Sequence, residues 1–150
     1  MQLRIRAMEH DDIKDVLAVE QASFSEPWNE EMFNATLLLP YAHYYVAEAE
    51  IPGGGFRIIG ECGVRDIMGE GEITNVAILP AFRGQGFARQ MFDYVIRDCM
   101  EKGVKVFTLE VRESNRAAIA LYERFGFRTE GVRKAFYRDP DENALIMWRR

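Results

Sequence analysis

With only two cysteines, Cys62 and Cys99, in 150 residues, the chain cannot build a disulfide framework, and it reads as a reduced, cytosolic protein. Histidine is just as scarce: His10 and His43 stand alone, and no metal-ligand spacing occurs, so no metal is expected. No apolar run approaches the ~20 residues that cross a bilayer. The first residues, Met1 to Arg6, turn acidic by Glu9 and Asp11, which does not read as a signal peptide. Neither a membrane nor a membrane surface is therefore an expected partner. Positive charge is in deficit, with a formal net charge of −5, which argues against general nucleic-acid affinity and is compatible with a cationic partner.

What remains is an ordinary globular composition, 48% hydrophobic and 29% charged, of a size that suits one domain over residues 1–150. Leu3 to Ala7 alternates as a first strand, and Asp11 or Asp12 caps a helix that sends Ile13, Val16, Leu17 and Phe24 to the core. Pro27 and Trp28 open a shorter helix that stops before Pro40. His43 to Ala49 and Arg57 to Val64 read as strands around the turn Pro52-Gly53-Gly54-Gly55. Asp66 to Gly71 reads as a second turn, and Glu72 to Leu79 as the strand that pairs back. The meander then gives way to alternation: helix 86–102, strand 104–111, helix 115–125, strand 127–134 and a last strand 143–149. This order predicts an α/β chain with a mixed sheet and about four helices on its two faces.

The most informative stretch is Arg83-Gly84-Gln85-Gly86-Phe87-Ala88, between the strand Ile73 to Leu79 and a helix whose apolar residues (Met91/Phe92, Val95/Ile96, Cys99/Met100) recur at helical spacing. A Gly-rich turn that opens a helix leaves backbone N–H groups unpaired, with the positive end of the helix dipole behind them. That is a ready site for a phosphate-bearing ligand. The spacing is neither that of a P-loop nor that of a dinucleotide fingerprint.

With Val76-Ala77-Ile78 ahead of it, the pattern Arg-x-x-Gly-x-Ala resembles the coenzyme A pyrophosphate loop of the GNAT N-acetyltransferase superfamily. Leu109-Glu110-Val111-Arg112-Glu113-Ser114-Asn115, then Ala117 to Glu123, Gly126-Phe127, Ser25-Glu26-Pro27-Trp28 and Arg133 to Tyr137 extend the resemblance to the bacterial ribosomal-protein-alanine N-acetyltransferases within it. It implies the GNAT fold, with the sheet splayed between strands 72–79 and 104–111 and acetyl-CoA in the opening. The amine would arrive from the opposite side. Val76, Ala77, Ile78, Arg83, Gly84, Gln85, Gly86, Phe87, Ala88 and Asn115 would bind the cofactor, and a bulge in the preceding strand would bond the pantetheine arm. The implied partner is the N-terminal peptide of a small-subunit ribosomal protein.

For acetyl transfer the resemblance assigns Glu110 as base to the incoming amine and Tyr122 as acid to the departing thiolate. From the residues alone, Glu110 sits among apolar strand neighbours that would raise its pKa. Tyr122 sits on an apolar helix face as a core ring with its hydroxyl at the rim. Glu72 is a rival base with a surface role as its alternative, and Arg89 reads as a solvated helix charge. Asn115 and Ser114 also read as helix caps. Cys62 permits a covalent, ping-pong route, but no activating histidine lies near it in sequence, which favours direct transfer in a ternary complex. The loop Phe24 to Trp28 and the connection Tyr137 to Asn143 are expected to line the peptide entry, with Trp28 equally able to anchor the core. Other readings are acetylation of lysines or small amines, or a non-catalytic acyl-CoA-binding domain.

Overall fold

Two adjacent tyrosines show how the sheet is covered. Tyr44 lies 5.9 Å from the ring of Trp28, which in turn packs on Phe33 at 5.1 Å. Its neighbour Tyr45 points to the other face and donates to Asp98 on a different helix. Successive strand side chains alternate in direction, so the sheet carries helices on both sides. The structure, a computed structural model, describes residues 2–150. Along the chain run β1 (Leu3–Ala7), α1 (Ile13–Ser23), α2 (Glu30–Leu37), β2 (Ala42–Glu50), β3 (Phe56–Ile67) and β4 (Glu70–Ile78). They are followed by α3 (Phe87–Glu101), β5 (Val106–Arg112), α4 (Arg116–Arg124), β6 (Arg128–Tyr137) and β7 (Glu142–Arg149). The strands form one sheet in the order β1-β2-β3-β4-β5-β7-β6, in which only β4 and β5 pair in parallel.

α1 and α2 cover the face of Tyr44, and α3 and α4 cover the face of Tyr45. On α3 the expected stripe is buried at Met91, Phe92, Val95, Ile96 and Cys99, while Met100 turns outward. Phe92 joins α3 to α4 and to the chain beyond it through Tyr122, Phe125 and Phe127. Each such ring contributes about 1.5–3 kcal/mol by leaving water.

Three local readings are corrected. The turn expected at 66–71 shrinks to Met68 and Gly69, because both adopt positive φ (55° and 89°) and close a two-residue hairpin. The second helix starts at Glu30, not at Pro27, because Asn29 caps it by accepting from the Met32 amide at 2.9 Å. Phe24 is extended just beyond α1 and stays 37% exposed, so it does not belong to the helix core.

The sheet splays where its one parallel pair ends. β4 and β5 pair from Glu70↔Val106 to Ile73↔Leu109 and then part. Beyond that point each strand is held by its other neighbour: β4 by β3 as far as Gly60↔Ile78, and β5 by β7 as far as Arg112↔Ala144. On β4 the register with β3 jumps from Val64↔Ile73 to Gly63↔Asn75, leaving Thr74 as a bulge at the mouth of the splay.

Candidate active site

The splay opens into a cavity of about 500 Å³. Its walls come from both sides of the gap, with Thr74, Asn75 and Val76 on β4 and Glu110 and Arg112 on β5. Phe24 to Glu26 and Trp28 close the α1–α2 side, Phe136 and Tyr137 reach in from β6, and Tyr122 enters from α4.

Glu110 owes its direction to strand alternation. Phe107, Leu109 and Val111 are buried on one face of β5, which turns Glu110 and Arg112 to the other, toward the α1–α2 loop. One carboxylate oxygen, Oε1, lies 3.7 Å from Nη2 of Arg133. The other, Oε2, is buried and has no hydrogen-bond partner among the described residues. Desolvation raises the Glu110 pKa, the Arg133 charge opposes the rise, and nearby Glu72 adds to it. An unpartnered buried carboxylate oxygen, on a residue that lines a cavity, is an acceptor without a donor.

Tyr122 is buried by its ring, which lies 5.3 Å from Phe92 and 6.0 Å from Phe127. Its hydroxyl lines the cavity without a protein partner among the described residues, and burial pushes its pKa well up. Both sequence readings hold: the ring is core and the hydroxyl is at the rim.

At the other end of β4, Leu79 N donates to Ile59 O at 2.7 Å, so alternation turns the Ile78 and Val76 amides away from β3 and into the splay, with Ala77 facing β3. Gly84 and Gly86 hold positive φ (76° and 80°), and Gly86 forms the N-cap of α3. From Gly84 through Gln85, Gly86, Phe87 and Ala88 to Arg89, no backbone amide has an acceptor among the described residues. Unpaired amides at a helix N-terminus are the geometry that the Gly-rich turn predicts. The Arg83 side chain folds back instead, donating from Nε to Ile78 O at 2.8 Å and from Nη2 to Ser23 Oγ at 3.3 Å. Arg89 is exposed beside Gly86, on a surface depression it shares with Arg97 and Arg124. Asn115 caps α4 through Oδ1, accepting from Ala118 N at 3.2 Å. Ser114 does not cap; its amide donates to Glu142 Oε2 at 2.6 Å.

The matching family model is that of the acetyltransferase (GNAT) family, over residues 13–127. The chain belongs to the GNAT acetyltransferases. A Bacillus subtilis relative, provisionally named as a ribosomal protein bS18-alanine N-acetyltransferase, is 41% identical over 96% of this chain and 93% of its own. The crystal structure of the ribosomal-protein-S18-alanine N-acetyltransferase from Escherichia coli superposes with a TM-score of 0.87 at 28% identity, covering 99% of this chain and 93% of that one. The NatC complex, solved with a Gag peptide and CoA, shares the GNAT fold at a TM-score of 0.85 and 20% identity, covering 99% of this chain and 98% of that one.

Several expected residues fall outside the GNAT cavity. Glu72 is exposed and lies away from the walls. Cys62 is fully buried, and burial with its neighbours raises its pKa, so it holds no thiolate. Trp28 serves both proposed ends, lining the cavity and anchoring Phe33 and Tyr44. Of the connection 137–143, Tyr137 lines the cavity.

Sequence reasoning missed two residues. Arg112, quoted in a motif but given no task, donates to Arg138 O and Pro140 O at 2.8 Å each, to Ser25 Oγ at 3.3 Å and to Glu142 Oε1 at 3.2 Å. It also lies over the Tyr137 ring at 4.6 Å, and so ties the two entry loops together. Glu20 is 1% exposed at the cavity floor, and its burial was invisible in a polar helix position.

Proposed function

We propose that this acetyltransferase transfers acetyl from acetyl-CoA to the α-amine of an N-terminal alanine on a small-subunit ribosomal protein, in the cytoplasm. The observation that carries the reading is that Glu110, with one carboxylate oxygen unpartnered, lines the same cavity as Tyr122. The names of the bacterial relatives support the choice of substrate.

The cofactor fits the free groups: the amides from Gly84 to Ala88 receive its pyrophosphate, with Arg83 bracing the loop. The Val76 and Ile78 amides serve its pantetheine arm and acetyl carbonyl, with Ala77 fixing the strand between them. Asn115 keeps its side-chain amide for the same ligand while its Oδ1 caps α4. Acetyl-CoA supplies the activated acetyl group. Glu110 Oε2 takes the proton of the incoming ammonium. An α-amine with a pKa near 8 is already neutral in roughly one copy in ten at pH 7, so a modest base suffices; a lysine near 10.4 would demand far more. As the nitrogen–carbonyl bond forms and the carbon–sulfur bond breaks, Tyr122, kept protonated by burial, delivers its hydroxyl proton to the departing thiolate, and the second proton shed by the nitrogen restores it. Transfer is direct, because Cys62 is sealed in the core.

The test is acetylation of a short peptide that starts with alanine and contains an internal lysine, beside the same peptide with a blocked N-terminus. Mass spectrometry locates the acetyl group. Modification of the free N-terminus alone is expected. Modification of the blocked peptide would move the enzyme to lysine chemistry, and silence on both, with coenzyme A bound, would point to a small-molecule amine, a narrower peptide preference or no catalysis.

A further inference from the structure

Below the cavity lies a pair of acids that the transfer chemistry does not use. Glu20, on α1, accepts a hydrogen bond from Trp28 N at 2.8 Å through Oε1 and from Asn75 Nδ2 at 3.0 Å through Oε2. Trp28 belongs to the loop that closes the amine side. Asn75 follows the Thr74 bulge on β4 and precedes Val76, whose amide faces the splay. Glu61, on β3, is fully buried, and neither of its oxygens accepts from any donor among the described residues. Burial, with Glu20 adding to it, raises the Glu61 pKa well above the ordinary carboxylate range and so favours its protonated form.

We propose that Glu20 is a positioning residue for acetyl transfer: its carboxylate joins the amine-side loop to β4 and so fixes where the acceptor amine stands relative to the acetyl group. This rests on the acetyl-transfer reading above. A buried carboxylate is an expensive way to hold a loop unless its partners are all donors, as they are here. The loop's other side-chain hydrogen bonds, Arg112 to Ser25 and Ser25 to Arg138 O, are exposed, as is that of Arg83 to Ser23 at the end of α1. Among the described residues, Glu20 alone hydrogen-bonds both the loop and the strand beside the bulge.

The test exploits polarity. Asn75→Asp removes the amide donor and, read at alkaline pH where the new acid is ionised, sets a carboxylate against the Glu20 carboxylate and breaks the tie. Glu20→Gln with Asn75→Asp exchanges donor and acceptor and rebuilds it, the glutamine amide donating to the new aspartate while its carbonyl still accepts from Trp28. Kinetics are read well below the melting temperature, on protein shown folded by circular dichroism. Asn75→Asp is expected to lower kcat with peptide at least tenfold, toward the ~10²-fold that ångström-scale misplacement causes, with the KM for acetyl-CoA unchanged. The double variant is expected to recover most of that loss. Should Asn75→Asp fail to fold, the double variant still decides: folded and active supports the proposal, folded and inactive overturns it. A folded Asn75→Asp with wild-type kcat and peptide KM also overturns it, and makes the cluster purely structural. Wild-type protein silent on every peptide amine would overturn the acetyl-transfer reading itself, and this inference with it.

Discussion

Arg133 stands 3.7 Å from Glu110 Oε1 and leaves Glu110 Oε2 buried and without a partner. One oxygen is steadied by a cation that is itself half exposed, so the attraction is screened and the carboxylate keeps much of its basicity. The other oxygen is free to receive a proton. A fully bidentate arginine would hold the carboxylate in place and depress its pKa, and the single long contact avoids both.

Replacing Glu110 by glutamine keeps the shape and removes the proposed base. Turnover with an alanine-first peptide is expected to fall about 10²- to 10⁴-fold, the usual contribution of a positioned general base. Acetyl-CoA affinity, measured by calorimetry, is expected to stay within about twofold, because no cofactor contact is altered. Unchanged turnover would remove Glu110 from the chemistry.

The pH profile follows from the same contacts. As the proposed base Glu110 would work only as the carboxylate, and desolvation raises its pKa, so kcat/KM is expected to fall as pH drops through a value above the ordinary ~4.3. The profile is to be read together with the alkaline rise from the peptide amine near 8. Arg133→Ala removes the opposing cation and is expected to move the acid limb upward. Glu72→Gln removes a repelling charge and is expected to move it downward while sparing turnover. Loss of activity in Glu72→Gln would transfer the role of base to Glu72.

Tyr122→Phe deletes a hydroxyl that has no protein partner among the described residues, while the ring keeps its contacts with Phe92 and Phe127. Acetyl transfer is expected to slow about 10²-fold. The melting temperature is expected to shift little, since no protein hydrogen bond is lost. Equal rates would return Tyr122 to the core alone.

Much of this fold is legible in the chain because its signals are local. β-branched runs mark the strands, Asn115 caps its helix, and the glycines at 84 and 86 mark a turn that bares amides. Glu110 and Tyr122 were reached through a family pattern, since a strand glutamate or a helix-face tyrosine is unremarkable by spacing alone. What stayed hidden is long-range. Glu20 meets Asn75 55 positions away, and Arg112 meets Arg138 26 away. No periodicity announces such a pair. The turn at 66–71 was overestimated for a related reason: Met68 takes a left-handed φ that its residue type does not advertise.

Gly86 tests the proposed pyrophosphate cradle. A Cβ there would meet nothing within 4 Å, so the obstacle to Gly86→Ala is the φ of 80° and not space. Holding alanine in that conformation costs about 1–2 kcal/mol, or the turn relaxes and its amides swing away. The KM for acetyl-CoA is expected to rise about tenfold with a smaller change in kcat. A rise confined to the peptide KM would place the cofactor elsewhere.

Arg112 tests the peptide entry. Its guanidinium spreads over two carbonyls, a serine hydroxyl, a carboxylate and an aromatic face, a set that only a planar fork can serve. Lysine would keep the charge but reach one or two of these acceptors, so Arg112→Lys is expected to behave more like Arg112→Ala than like wild type. Both are expected to raise the peptide KM about tenfold or more as residues 138–142 and Ser25 lose their common anchor. The KM for acetyl-CoA is expected to hold, because the Gly84–Arg89 amides lie in a separate loop. The acid limb is expected to move little, since Arg133 supplies the main opposing charge on Glu110. A variant that instead loses kcat at unchanged peptide KM would make Arg112 part of the reacting centre, acting on the amine or its carboxylate base and not on the entry.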